Sequence, residues 1–376
     1  MRAAAASATR NFSSPRTRYA QLQQQGSHAA RSVQTDTSSA RRMLSFSDVE
    51  MATERLQATN CIHRTPLLES IALNQAVGGR VLVKAEALQV AGSFKIRGAM
   101  NALLRLSPEA RARGVVAFSS GNFGQGLAAA CMMQKVKCTI VMPGDAPESK
   151  EERAKSYGAV VVRSEIVKDV NREVTAAELA AQISHREGST LLHPFDYFDV
   201  MAGQGSCGVE IFEQCAEKQV DALDALLVPT GGGGLAAGCS TAMAKLMPTT
   251  AVYAVEPTGY DDHVQSFERG AITPLSESPD SICDSLQAVA PGQLTFPVNA
   301  KRLTGALSVS DDEVKTAMRV AFDTLQIVLE PGGAAGLAAV LSRKIDIIGK
   351  TVCVIASGGN INIRKFAKVL GCQANL

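Results

Sequence analysis

The sequence predicts an α/β protein of two doubly wound units, with the functional site in the cleft between them. Three observations predict it. Short β-branched runs alternate with helical stretches through most of the chain, the pattern of parallel sheets covered on both faces. Three of these runs end in glycine-rich junctions, at 119–125, 230–235 and 357–360. The runs are also too many for one comfortable sheet. They divide the chain into a smaller unit over residues 112–188, inserted between the two parts of a larger one, 43–111 and 189–376.

The folded body begins near Leu44, where Ser47 or Asp48 can cap a helix running through Glu54 to about Ala58. Thr65-Pro66-Leu67 breaks into an extended segment, 70–75 is helical, and Gly78-Gly79 turns into an apolar strand over 81–86. After Lys95 the pattern predicts a helix over 99–106. Strands are then expected at 115–118, 138–142, 159–162, 191–192, 225–228, 251–255 and 351–356. Helices are expected at 122–134, 147–157, 170–186, 201–216, 235–246, 311–325 and 332–342, with a last one closing the chain. Residues 261–297 show no period and are rich in Pro, Ser and Asp, which predicts a segment wrapping the surface or the site.

At 376 residues, 46% hydrophobic and 20% charged, the chain has the composition of a soluble globular protein. No uninterrupted apolar run approaches the roughly 18 residues of a membrane span. The net charge of +2 gives no case for nucleic-acid binding. That charge is unevenly placed. Residues 1–42 carry seven arginines and the single acid Asp36, and without them the body has 31 basic and 35 acidic residues, a net −4. An Arg-rich, Ser-rich, acid-poor leader predicts a transit peptide, mitochondrial rather than plastid. Nine cysteines, none in a CxxC pair and none near histidine at ligand spacing, argue against a zinc site and for reduced thiols.

The chemistry centres on Lys95, in Gly92-Ser93-Phe94-Lys95-Ile96-Arg97-Gly98-Ala99. A lysine between small residues at a strand-to-helix junction can have its amine desolvated, as an imine-forming lysine requires, because only the neutral amine is nucleophilic. Gly231-Gly232-Gly233-Gly234-Leu235 follows a strand and opens a helix, so its amides and the helix dipole form an anion cradle. No Lys-Ser/Thr follows, and the spacing is not GxGxxG, which leaves a single phosphate monoester as the fitting ligand. Ser119-Ser120-Gly121-Asn122 presents amides and hydroxyls at another helix start, suited to a carboxylate, with the Asn122 amide free to reach a ring substituent. Ser357-Gly358-Gly359-Asn360 is the third junction, and in a doubly wound sheet all three converge on the carboxyl ends of the strands. An imine-forming lysine, a phosphate cradle and a carboxylate pocket together describe a pyridoxal-phosphate enzyme acting on an amino acid.

These motifs resemble the fold-type II, tryptophan-synthase β-like pyridoxal-phosphate enzymes, and within them the threonine/serine dehydratases and serine racemases. The likeness covers nearly all of 44–376. It extends to Ala202-Gly203-Gln204-Gly205, Glu256-Pro257, Ser281-Ile282-Cys283-Asp284 and Glu330-Pro331-Gly332-Gly333. The resemblance implies that Lys95 carries the cofactor covalently, Phe94 packs on its ring, Asn122 bonds the ring hydroxyl and Ser357 the pyridine nitrogen. Gly231, Gly232, Gly233, Gly234 and Leu235 would hold the phosphate, and Ser119, Ser120 and Gly121 the substrate carboxylate. Glu256, the Tyr260 carbonyl and Asp262 match a divalent-cation loop with an oxygen shell suited to Mg²⁺ or Ca²⁺. A homodimer is implied as well.

Two departures from the family pattern stand out. Phe123 occupies a position that is usually histidine, which is expected to remove a polar group beside the substrate pocket. The chain also stops at Leu376, before the regulatory domain of biosynthetic threonine dehydratases, so end-product feedback is not expected. The implied activity is L-threonine/L-serine ammonia-lyase, a β-elimination giving a 2-oxo acid and ammonia. Serine racemase, with Ser120 as the second acid/base, and 3-hydroxyaspartate ammonia-lyase are the alternatives.

Overall fold

The structure is a computed structural model and describes residues 42–146, 148–167, 172–277 and 279–371. Of the leader expected over 1–42, only Arg42 falls among them. Its guanidinium pairs with Asp48 at 2.6 Å.

Two sheets organise the chain. The larger holds β1 (Leu67–Glu69), β2 (Arg80–Lys84), β7 (Ala225–Pro229), β8 (Ala251–Pro257), β9 (Gly305–Val309) and β10 (Thr351–Ile355), in the order β1-β2-β10-β7-β8-β9. All its pairings are parallel except β1 against β2. The smaller sheet is wholly parallel, in the order β5-β4-β3-β6, from β3 (Val115–Phe118), β4 (Cys138–Met142), β5 (Val160–Arg163) and β6 (Thr190–Leu191). β2, β7 and β10 are buried almost end to end, which is why they read as continuous apolar runs rather than alternating ones. β6 pairs Thr190 with Val115 and Leu191 with Val116, so the smaller unit runs past the expected boundary at 188.

Four other expectations are corrected. The first helix, α1 (Phe46–Gln57), starts at Ser45 rather than at Ser47 or Asp48; Asp48 instead accepts the Ser45 N–H at 3.0 Å in a capping box. The helix α3 (Lys95–Arg105), after the short α2 (Ile71–Val77), begins at the lysine itself and not at Ala99. Its buried face, Ile96, Ala99, Met100 and Leu103, packs in one core with Val115, Leu127 and Ile140 of the smaller unit, so α3 lies across the seam. The supposedly periodless stretch contains α10 (Asp262–Arg269) and the start of α11 (Thr295–Arg302). Each has eight residues, and Pro297 sits in the first turn of α11, where its missing N–H costs nothing. The edge strand β9 was likewise not expected, being only partly buried.

The remaining helices are α4 (Pro108–Arg113), α5 (Asn122–Gln134), α6 (Glu148–Ser156), α7 (Arg172–Glu187), α8 (Phe198–Glu217), α9 (Gly234–Leu246), α12 (Asp311–Leu325), α13 (Pro331–Leu341) and α14 (Ile363–Leu370). A buried ionic network fixes α3 against α8 and β2. Arg97 donates to Glu86 at 2.8 Å and to Glu210 at 2.7 Å. Lys84 reaches Glu210 at 2.6 Å, Gln214 at 2.8 Å and the Thr65 carbonyl at 2.7 Å. Every charge in it is paired, as burial of ions demands. Lys95 lies two residues from Arg97, so this network sets where the lysine stands.

Candidate active site

Lys95 leaves the helix start with its Nζ 3.2 Å from the Pro194 carbonyl and 5.2 Å from the centroid of the Phe94 ring. The chain before it is tied to the third glycine junction. Ser93 pairs with Gly358, and the Phe94 N–H donates to the Ser357 carbonyl at 3.2 Å. Burial pushes the Lys95 ammonium down to about 8, against the pull of the nearby Glu330 carboxylate.

Ser119, Ser120 and Gly121 link β3 to α5 and are half-buried. The Gly121 N–H donates to Ser119 Oγ at 3.2 Å. Asn122 opens α5, and its side chain is held at both ends. Its Nδ2 donates to Glu330 Oε1 at 2.5 Å, and its Oδ1 accepts from Asn360 Nδ2 at 2.8 Å. Glu330 itself is buried just ahead of α13, and burial, reinforced by Asp284, pushes its carboxyl up to about 7. Asn360 also donates to the Ala91 carbonyl at 2.8 Å, so the junctions at 119–125 and 357–360 and the turn before Lys95 form one connected surface.

The glycine cradle joins β7 to α9. Gly233 has φ +92°, a left-handed conformation that suits glycine. A side chain at Gly232 would place its Cβ 2.2 Å from the Phe195 ring. Two side chains of α11 hold the loop's carbonyls outward: Thr295 Oγ1 donates to Gly232 O at 2.6 Å, and Asn299 Nδ2 to Gly233 O at 3.2 Å. Among the described residues no amide from Gly231 to Leu235 donates to a protein acceptor, so five N–H groups and a helix N-terminus remain for an anion.

Residues 58–358 match the family described as "Pyridoxal-phosphate dependent enzyme". The chain belongs to the pyridoxal-phosphate-dependent enzymes. It is 40% identical to an L-threo-3-hydroxyaspartate ammonia-lyase of Pseudomonas sp, over 88% of this chain and 99% of that protein. It is 38% identical to the serine racemase of Dictyostelium discoideum, over 87% of this chain and 98% of that one. Among solved structures, the threonine deaminase of T.th. superposes with a TM-score of 0.79 at 40% identity, over 85% of this chain and 99% of that one.

The residues present fit the cofactor of this pyridoxal-phosphate-dependent enzyme. The five unbonded cradle amides suit its phosphate. The desolvated Lys95 amine suits its aldehyde, and the buried Ser357, whose hydroxyl has no hydrogen bond among the described residues, suits a ring nitrogen. Phe123 is only 2% exposed and packs in the core with Ile96, Leu127 and Ile140. The sequence signal was there: Leu127 and Ala130, four and seven residues on, share its apolar face.

Sequence reasoning missed Glu330, quoted only within a motif, and the whole loop 193–196. His193 stands edge-on between Phe118 and Phe195, with ring centroids at 5.3 and 4.6 Å. Asp196 accepts the amides of Gln293, Leu294 and Thr295 at 3.0, 2.7 and 3.4 Å, and so fixes the start of α11.

Glu256 and Asp262 do come together, and His263 joins them, their nearest ligand atoms all within 4.8 Å. Glu256 Oε1 accepts from the His263 backbone at 3.0 Å and lies 2.9 Å from Nδ1. Both Asp262 carboxylate oxygens are buried without a hydrogen bond. Burial and the neighbouring Asp262 push Glu256 up to about 7, with His263 opposing. The side chain of Tyr260 is buried next to this cluster in sequence, at the turn where its N–H meets the Pro257 carbonyl at 2.9 Å.

Proposed function

We propose that this chain is an ammonia-lyase for 3-hydroxy amino acids, acting on L-serine and L-threonine and releasing a 2-oxo acid and ammonia. The observation that carries the reading is Lys95: a desolvated amine beside a phosphate cradle, whose charged neighbour is a carboxylate rather than a second cation.

The cofactor supplies the electron sink for the bond broken at Cα. The protein's residues do the rest. Residues 231–235 bind the phosphate, Asn122 the ring hydroxyl, and Phe94 packs on the ring. Ser119, Ser120 and Gly121 bind the substrate carboxylate. Freed by the substrate amine, Lys95 takes the Cα proton. Ser357 would offer the ring nitrogen a hydroxyl rather than a full negative charge, which suits departure of the β-hydroxyl rather than transamination. An ammonia-release screen over L- and D-hydroxy amino acids tests this: serine and threonine should release ammonia, and silence on both would remove the reading.

Two alternatives have specific support. The 40% identity to a hydroxyaspartate ammonia-lyase favours a dicarboxylic substrate, which the same screen would reveal as a preference for 3-hydroxyaspartate. The 38% identity to a serine racemase favours Ser120 as a second acid/base, revealed by D-serine formed from L-serine.

Asp262, whose buried oxygens accept no hydrogen bond although Oδ2 lies 3.5 Å from His263 Nδ1, supports Mg²⁺ or Ca²⁺ held by Glu256, the Tyr260 carbonyl and Asp262, and calorimetric titration after chelation checks it. The composition of residues 1–42 supports a mitochondrial address, testable by imaging a fusion of that segment. The family supports a homodimer, testable by light scattering.

A further inference from the structure

His193 is used by none of the roles assigned above. It follows β6, is half-buried, and lies between two parts of the site. On one side is Phe118, whose next residue is Ser119 of the carboxylate loop; on the other is Phe195, which covers Gly232 of the cradle. The next residue along, Pro194, offers its carbonyl to the Lys95 amine at 3.2 Å.

The tautomer follows from hydrogen bonds. His193 Nδ1 accepts the Asp196 N–H at 2.9 Å and faces the Phe195 N–H at 3.4 Å. A nitrogen receiving two amide donors cannot carry a proton, so the proton of the neutral ring sits on Nε2. Burial, with the Lys95 ammonium nearby, pushes the imidazolium down to about 3, so the ring stays neutral throughout the working range. Among the described residues Nε2 has no hydrogen-bond partner, and it is not sealed away from solvent.

We infer that His193 is a specificity-determining residue whose Nε2–H donates to the β-hydroxyl of the substrate and orients it for departure. This rests on the lyase reading. With the substrate carboxylate at residues 119–121 and Cα beside Lys95, the β-substituent lies next to the loop that carries both the Lys95 acceptor and this ring. A neutral imidazole N–H is too weak an acid to protonate a leaving group, so His193 positions and does not transfer the proton. Being uncharged, it favours a hydroxyl over a second carboxylate.

The test compares L-serine with β-chloro-L-alanine, which loses a good leaving group that needs no hydrogen bond. His193→Asn keeps an acceptor for the Asp196 amide and removes the Nε2 donor; His193→Gln places an N–H near the ε position. His193→Asn should lower kcat/KM on L-serine by about 10-fold or more while changing it less than about 3-fold on β-chloro-L-alanine. His193→Gln should recover part of the serine activity. Equal losses on both substrates, or no loss on serine, would overturn the inference. A wild-type enzyme that carries its cofactor and turns over neither serine nor threonine would instead overturn the lyase reading, before any variant is made.

Discussion

The lowered basicity of Lys95 makes a prediction about how the cofactor attaches. Only the neutral amine adds to an aldehyde. With its ammonium at about 8 instead of the ordinary 10.5, Lys95 would be neutral in about a quarter of molecules at pH 7.5, against about one in a thousand for an exposed lysine. Attachment to the apoenzyme should therefore gain roughly 200-fold from protonation alone, less what a less basic amine loses in nucleophilicity. Burial lowers this value and Glu330 opposes it. Glu330→Gln keeps an oxygen for the Asn122 amide and removes the charge, so the midpoint should fall by about one unit. Glu330 itself titrates near 7. In the wild type its support of the ammonium fades below that pH, and the acid limb should be shallower than in the variant. Stopped-flow absorbance of apoenzyme mixed with pyridoxal phosphate from pH 6.5 to 9.5 reads both effects. A wild-type midpoint near 10.5 would refute the desolvation argument, and an unmoved midpoint in Glu330→Gln would refute the role of Glu330.

Three more outcomes are expected. Gly232→Ala would drive a Cβ into the Phe195 ring and displace the cradle, so cofactor affinity should fall about 10- to 100-fold; a fluorescence titration giving wild-type affinity would count against the cradle. Arg97→Met leaves Glu86 and Glu210 buried without their main partner, and should cost about 3–5 kcal/mol in urea unfolding, part of it returned by adding Glu86→Gln. His193 has its folded-state value pushed below the ordinary 6.5, to about 3, so as pH falls through 6.5 the unfolded chain takes the proton first and stability drains away down to about pH 3. At pH 5 the loss is at most about 2 kcal/mol, and smaller for a half-buried ring, so the His193→Asn apoenzyme should lose less stability than wild type between pH 7.5 and 5; equal losses would show that the ring is already solvated.

What the sequence made legible, and what it hid, follows one physical line. Lys95 and the three glycine junctions were readable because chemistry there demands unusual residues in consecutive positions: four glycines exposing amides, a lysine at a strand exit. The alternation of strands and helices was readable because parallel strands are apolar throughout. The helices α10 and α11 were hidden because each holds barely two turns within a stretch rich in Pro, Ser and Asp. The packing of Phe123 in the core was readable from its own helix face, shared with Leu127. The buried pairing of Lys84 and Arg97 was hidden, since nothing nearby in sequence announces Glu210, more than a hundred residues away. The supports of the site were hidden for the same reason. Glu330 meets Asn122 and Thr295 meets Gly232 only after folding.

The loop from His193 to Asp196 shows why such supports matter more than their anonymity in the sequence suggests. Pro194 receives the lysine, Phe195 lies on the phosphate cradle, and Asp196 anchors α11, which in turn holds the cradle carbonyls through Thr295 and Asn299. Asn299 also lies 3.3 Å from His263 Nε2, and so reaches the cluster of Glu256 and Asp262. The lysine, the phosphate site and the acidic cluster, read as separate motifs, therefore share one mechanical frame. Asp196 is the joint of that frame: three amides converge on a carboxylate whose pKa burial raises, and they offset part of that cost. Removing its carboxylate would release the start of α11, and with it the carbonyls of Gly232 and Gly233, while leaving the Asp196 N–H that His193 accepts in place.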